Sequence, residues 1–235
     1  MRLAIAFMAA ALLSVAANDR ALAAAGPVID WDPAYGWQTG ATPFNLPAAG
    51  EFKMVGIISD FGPPLDDLDA ANPATEYTFY VHGLISNGTT FVGPLGTRFY
   101  TTTFSGGTIE VYYDTTPESS FDPNPPNAGV PADFIDGGAP ILTGSFTSFV
   151  VQTNDFTAFQ TGNIEGDFNW TGGTLLYRLP TNGGEPCPGL FTGGMTWNTS
   201  VGIPGYLFRH DGKIDLQCPT SVQNSTWGQL KALYR

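Results

Sequence analysis

Histidine, cysteine and positive charge are all scarce in this chain, and each scarcity closes off a class of chemistry. His82 and His210 are the only histidines among 235 residues. Neither belongs to an H-E-x-x-H pair and no G-x-S-x-G elbow occurs, so zinc-protease and α/β-hydrolase mechanisms lack their parts. Nine Lys and Arg face 21 Asp and Glu, for a formal net charge of −12. Such a surface repels phosphate backbones and anionic lipids, which excludes nucleic acid as a partner. The longest apolar run, Leu3 to Ala17, falls short of the roughly 20 residues a membrane-spanning helix needs.

What the chain does have is core-forming material: 43% of residues are hydrophobic and 13% aromatic. Its 29 Gly and 19 Pro argue against long helices and for short strands joined by turns. The fold class that follows is all-β. Arg2, the apolar run and the small-residue pattern Ala21-Leu22-Ala23 read as a signal peptide over 1–23, with Ala24 opening the mature chain. An exported chain permits oxidation, and Cys187 and Cys218 are expected to pair. Closing a loop of about 30 residues contributes about 3 to 4 kcal/mol.

Residues 24–50, with Trp31, Tyr35 and Trp37 among Pro, Gly and Ala, suit an irregular lead-in. Strand patterns follow over Glu51 to Ser59, Glu76 to Ser86, Arg98 to Phe104 and Thr108 to Asp114, the last two joined as a hairpin through Ser105-Gly106-Gly107. A Pro-rich excursion from Thr115 to Ala132 reads as a loop. A second strand group covers Pro140 to Thr153, Thr157 to Gly162, Asn163 to Trp170 and Thr174 to Leu179, and Asp211-Gly212 marks a late hairpin within Tyr206 to Gln217. Nine or ten strands without a fixed repeat predict, over 51–218, a two-sheet antiparallel β-sandwich of jelly-roll type.

The tail 219–235 differs, because Trp227, Leu230 and Leu233 or Tyr234 recur at helical spacing behind Ser225 or Thr226. A short C-terminal helix is expected. The phrase Trp-Gly-x-Leu-Lys-x-Leu-Tyr-Arg over residues 227–235 resembles C-terminal tails of assorted uncharacterised exported bacterial proteins. That resemblance implies a recognition or attachment segment and no activity.

Four sets of residues are candidates for chemistry. Glu165 and Asp167 lie two apart on a strand, at the lower end of the 5 to 9 Å that separates glycosidase carboxyls. Glu165-Gly-Asp-Phe-Asn-Trp170 also resembles the Glu-x-Asp-x-x-Glu motif of a jelly-roll glycoside hydrolase family, but Trp170 replaces the Glu that there serves as acid/base. On ordinary alternation, Asn163, Glu165, Asp167 and Asn169 form a solvent face and Ile164, Phe168 and Trp170 a core face. Asp60, Asp66, Asp67, Asp69, Asn72 and Glu76 concentrate hard oxygen donors of the kind Ca²⁺ takes, without EF-hand spacing. Trp31, Trp37 and Trp197 are candidates for stacking on a sugar. His82 reads as a strand histidine and His210 as a solvated turn residue. Sequons occur at Asn87, Asn169, Asn198 and Asn224.

Function is bounded accordingly. The sequence points to a secreted or envelope-exposed binding, adhesion or structural module, with a glycan or an envelope component as partner. A carbohydrate-active enzyme or a lectin-like glycan-binding module is the alternative.

Overall fold

A computed structural model describes residues 26–42, 44–121, 130–156, 161–197 and 203–218. The strands in chain order are β1 (Ile29–Gln38), β2 (Glu51–Phe61), β3 (Glu76–Val92), β4 (Phe99–Ser105), β5 (Thr108–Asp114), β6 (Leu142–Phe146), β7 (Phe149–Asn154), β8 (Thr161–Gly172), β9 (Thr181–Asn182), β10 (Glu185–Pro186), β11 (Gly189–Trp197) and β12 (Phe208–Leu216). Among the described strands, only β9 and β10 stand apart, as a ribbon of two residues per strand. The signal peptide and the C-terminal helix expected over 1–23 and 219–235 lie outside the described residues.

The register shows that two pairs of strands are each one bent stave. Along β3 the pairs Val92↔Phe99, Ile85↔Ser105, His82↔Thr108 and Glu76↔Asp114 run on without reversal, first on β4 and then on β5. Ser105-Gly106-Gly107 is therefore a kink within a stave and not the expected hairpin. Gly106 and Gly107 take φ of 69° and 102°, which suits a bend in a barrel wall as well as it suits a turn. Opposite β8, Phe146↔Phe168 passes into Val150↔Glu165. Between them the Thr147 and Ser148 N–H groups both donate to the Asp167 carbonyl, at 2.8 and 3.2 Å, a bulge of two residues against one.

Counted as staves, the order is β1, β2, β3, β4–β5, β6–β7, β8, β11, β12, each antiparallel to its neighbour in the chain, and β12 pairs back onto β1. The result is a closed eight-stranded up-and-down barrel, not the predicted two-sheet sandwich. Alternation and turn spacing are common to both architectures; closure decides between them. The closing stave is β1, inside the segment expected to be an irregular lead-in. Its Asp32-Pro33 step is absorbed by a bulge between Trp31 and Ala34 on both of its edges, which leaves the missing proline N–H outside the ladder.

The interior is packed with rings. Trp31 lies 4.9 Å from Phe79 and 4.7 Å from Phe191, Phe52 lies 5.5 Å from Phe208, and Phe146 lies 5.4 Å from Phe168. Glycine makes room for them, as at Gly212, where a Cβ would fall 2.4 Å from the Thr192 carbonyl and 2.5 Å from the His210 ring. Asp211-Gly212 is accordingly the middle of β12 and not a hairpin turn. Each of these large side chains stabilises the fold by about 1.5 to 3 kcal/mol through removal from water.

Outside the wall, the described parts of the Pro-rich excursion fold back over β2, β3 and β5. Phe134 and Val130 pack on Val55, Tyr80 and Tyr112, and Phe121 packs on Tyr35 at 4.7 Å. The segment expected as a strand over 174–179 is a short 3₁₀ turn, Leu176–Arg178. Cys187 and Cys218 are disulfide-bonded, as expected, and tie the approach to β11 to the exit of β12. Among the described residues, no helix is long and apolar enough to cross a membrane.

Candidate binding surface on the barrel wall

Period-two alternation puts the polar members of each strand outside, and the chemistry of the molecule lies there. On β8, Ile164, Phe168 and Trp170 are buried while Glu165 and Asn169 are exposed, as the alternation reading required. Glu165 and Asp167 do share the outer face. Asp167 Oδ2 accepts from Ser148 Oγ at 2.9 Å and its Oδ1 from Gln217 Nε2 at 3.2 Å, so it is engaged in tying the bulge and the exit of β12 to β8.

The six residues expected to gather around calcium are dispersed. Asp60 accepts from the Phe61 N–H, Asp69 from Ala71 and Asn72 from Ala74, each serving its own turn. Asp67 pairs with Arg178, whose hydrogen bond holds that carboxyl below its usual range. Asp66 is exposed. Glu76 is buried, and its Oε1 accepts from the N–H groups of Glu118 and Ser119 and from Ser119 Oγ, at 3.0, 3.1 and 2.9 Å. A different acidic group does converge: Asp114, Glu118 and Asp136 bring their oxygens within 4.8 Å of one another. Donating a hydrogen bond to Asp136, and lying beside that negative charge, pushes the Glu118 carboxyl up. Sequence spacing did not reveal this group because its members are brought together by the fold of the excursion.

Trp31 is not an exposed platform but a fully buried interior ring. Trp37 is half-buried between the two outer-wall clusters. The Trp197 side chain, Asn198 and Asn224 lie outside the described side chains. His210 is buried and not solvated: its Nδ1 accepts from Trp31 Nε1–H at 3.1 Å and its ring stacks on Phe191 at 5.6 Å and 6°. Desolvation pushes its pKa down to about 3, so the imidazole is neutral, with its proton on Nε2 facing the Gly193 backbone.

His82 belongs to an outer-wall network that sequence reasoning left unassembled. Its Nε2 lies 3.3 Å from Glu110 Oε2, which also accepts from Tyr112 OH at 2.8 Å, and Tyr80 stacks on the imidazole at 4.7 Å. One strand over, Glu51 accepts from the Gly83 N–H at 2.9 Å and pairs with Lys53 at 3.0 Å. Burial works against the Glu51 carboxylate, yet these two donors hold it below its ordinary value. Burial and the neighbouring Glu110 carboxylate push the Tyr112 hydroxyl up.

Two concavities indent the opposite side of the wall. One of 480 Å³ is lined by Asp32, Thr161, Gly162, Gly194, Met195, Thr196, Arg209 and Asp211. The other, of 330 Å³, is lined by Phe99, Tyr100, Thr101, Gln152, Thr153, Asn154, Gly162 and Asn163. Within the first, Arg209 is ion-paired with Asp32. Beyond the second, the β3–β4 hairpin projects an apolar tip on which Phe91, Val92, Leu95 and Phe99 are 55%, 76%, 79% and 58% exposed. Arg98 lies over the Phe91 ring at 4.2 Å. Asp155 fixes this tip, accepting from the N–H groups of Arg98 and Gly96 and from Tyr100 OH, at 2.6, 3.2 and 3.1 Å.

Fold and surface together define a filled, closed up-and-down β-barrel with an aromatic interior and a polar, indented wall. No protein-family model, no curated protein and no solved structure matches the chain.

Proposed function

We propose that this chain is an exported, surface-directed β-barrel that works as a binding, adhesion or structural module, meeting its partner on the outside of the wall. The observation that carries this reading is the solid interior. Trp31, Phe79, Phe191 and His210 occupy the space that ligand-carrying barrels leave open, so recognition falls to the wall and the hairpin tip. A disulfide suits an oxidising compartment, and the acidic composition keeps the barrel clear of nucleic acid and anionic lipid. Hydrolysis by Glu165 and Asp167 has less support, since Asp167 is committed to Ser148 and Gln217.

The test is retention of the purified full-length chain on washed envelopes of the cells that produce it. Saturable retention that competes with unlabelled protein is expected. Absence of retention, or steady release of reducing sugar from the envelope, overturns the reading.

A further inference from the structure

The two wall concavities are halves of one track. Cross-strand register places Thr101 opposite Gln152, Gln152 opposite Asn163, Asn163 opposite Gly194 and Gly194 opposite Asp211. Five outward positions thus form a single row over β4, β7, β8, β11 and β12, spanning roughly 19 Å at about 4.8 Å per strand. The concavities share Gly162 and meet beside Asn163. Gly194 puts no side chain into the row, and a Cβ there would meet open space, with no atom within 4 Å.

The chemistry of the row is that of neutral, two-way hydrogen bonding. Thr101, Gln152 and Asn163 each carry both a donor and an acceptor, and Asn163 Nδ2 already donates to Gln152 Oε1 at 3.3 Å, which orients the amides along the track. Charge at the far end is acidic or cancelled, since Arg209 is held by Asp32 and Asp211 adds a carboxylate. An anionic chain is repelled there. A peptide has no strand edge to extend, because the barrel is closed, and the track lacks the deep aromatic or arginine anchor on which protein interfaces rely. Phe99 offers an exposed ring at the near end, suited to the apolar face of a sugar.

We propose that this row is a binding track for a neutral glycan chain, with Asn163 and Gln152 as its central hydrogen-bonding pair and Gly194 as the floor that admits the chain. It rests on the reading of the barrel as a binding module and supplies the class of partner.

The test is affinity electrophoresis of the full chain in gels containing a neutral β-glucan, xylan or mannan, with alginate as the anionic comparison. At least one neutral glycan should retard the wild type and alginate should not. Gly194→Gln, which fills the floor, and Asn163→Ala, which removes the central amide, should each weaken retardation at least tenfold with an unchanged melting temperature; Asn163→Ala carries the test if Gly194→Gln fails to fold. Indifference to every neutral glycan, or wild-type retardation of Asn163→Ala, overturns the track. If envelope retention persists in either case, the binding-module reading stands and the track alone falls; if envelope retention is also absent, both fall.

Discussion

Trp31 donates its indole N–H to Nδ1 of His210 across 3.1 Å, 179 residues apart in sequence and on the two staves that close the barrel. This contact links the first strand to the last and fixes which nitrogen of the imidazole carries the proton.

A pH dependence follows from it. In the fold, His210 stays neutral down to about 3, whereas in the unfolded chain it takes up a proton below about 6.5. Between those values the unfolded state binds more protons. The contribution is therefore complete above about pH 6.5 and is lost on acidification, by about 1.4 kcal/mol per unit toward the folded value. Urea unfolding at pH 7 and pH 5 should show about 2 kcal/mol of stability lost from this group. His210→Gln, which keeps an acceptor for the indole, should lack that increment. Equal losses in both proteins would refute the assignment.

Glycine substitutions should separate interior from wall. Gly212→Ala drives a methyl into the Thr192 carbonyl and the His210 ring and is expected to cost about 1 to 3 kcal/mol as overpacking. Gly194→Ala meets nothing and should cost under about 0.5 kcal/mol. Chemical denaturation of the two variants side by side gives the comparison.

Why the sequence showed strands but not closure is clear from these same positions. β2 and β3 were legible from β-branched and aromatic residues bounded by turn residues, and β8 from an alternation that buries one face. β1 was hidden because Asp32-Pro33 interrupts its period and Gly36 leaves a gap in its apolar face, both answered only by neighbours far along the chain. Gly106-Gly107 and Asp211-Gly212 carry turn chemistry, yet one is a kink and the other makes room for rings. Nothing local separates those uses. Among site residues, the outward placement of Glu165 and Asp167 was readable, while the row through Gln152, Asn163 and Gly194 depends on a register that only pairing defines.

The disulfide should contribute through the unfolded state. Cys187→Ser with Cys218→Ser is expected to lower stability by about 3 to 4 kcal/mol for a loop of this length, with little change in the packing of β1 to β8. The thermal midpoint with and without reductant measures it, and a reduced wild type should match the double variant.

Asp155 should govern the apolar tip. Burial opposes its ionised form, but the Arg98 and Gly96 N–H groups and the Tyr100 hydroxyl hold its carboxyl below the usual range. A depressed carboxyl supports structure at neutral pH and loses that support as pH falls through its folded value. Asp155→Ala should therefore speed hydrogen exchange at the Gly96 and Arg98 amides at pH 7 while leaving β8 and β11 protected. The wild type should reach the same exchange behaviour at the tip only on strong acidification. Uniform exchange changes across the barrel would show instead that Asp155 supports the whole fold.

Glu76 sets a different test, of whether the Pro-rich excursion is part of the fold or merely rests on it. One buried carboxylate oxygen gathers three donors from Glu118 and Ser119, and hydrogen bonds to a charged group contribute about 1.5 to 3 kcal/mol each when a partner is lost. Thr78 Oγ1 supplies a second tie, donating to the Phe134 carbonyl at 2.8 Å. Glu76→Ala removes the first tie and takes the acceptor from the part-buried Glu118 and Ser119 N–H groups. Limited proteolysis should then cut between Thr115 and Asp136 at least tenfold faster, with the barrel intact as a fragment held together. Glu76→Gln retains one accepting oxygen and should fall between. If cleavage instead spreads into β3 and β5, the carboxylate holds the wall itself, and the excursion is a consequence of the barrel's order and not an attachment to it.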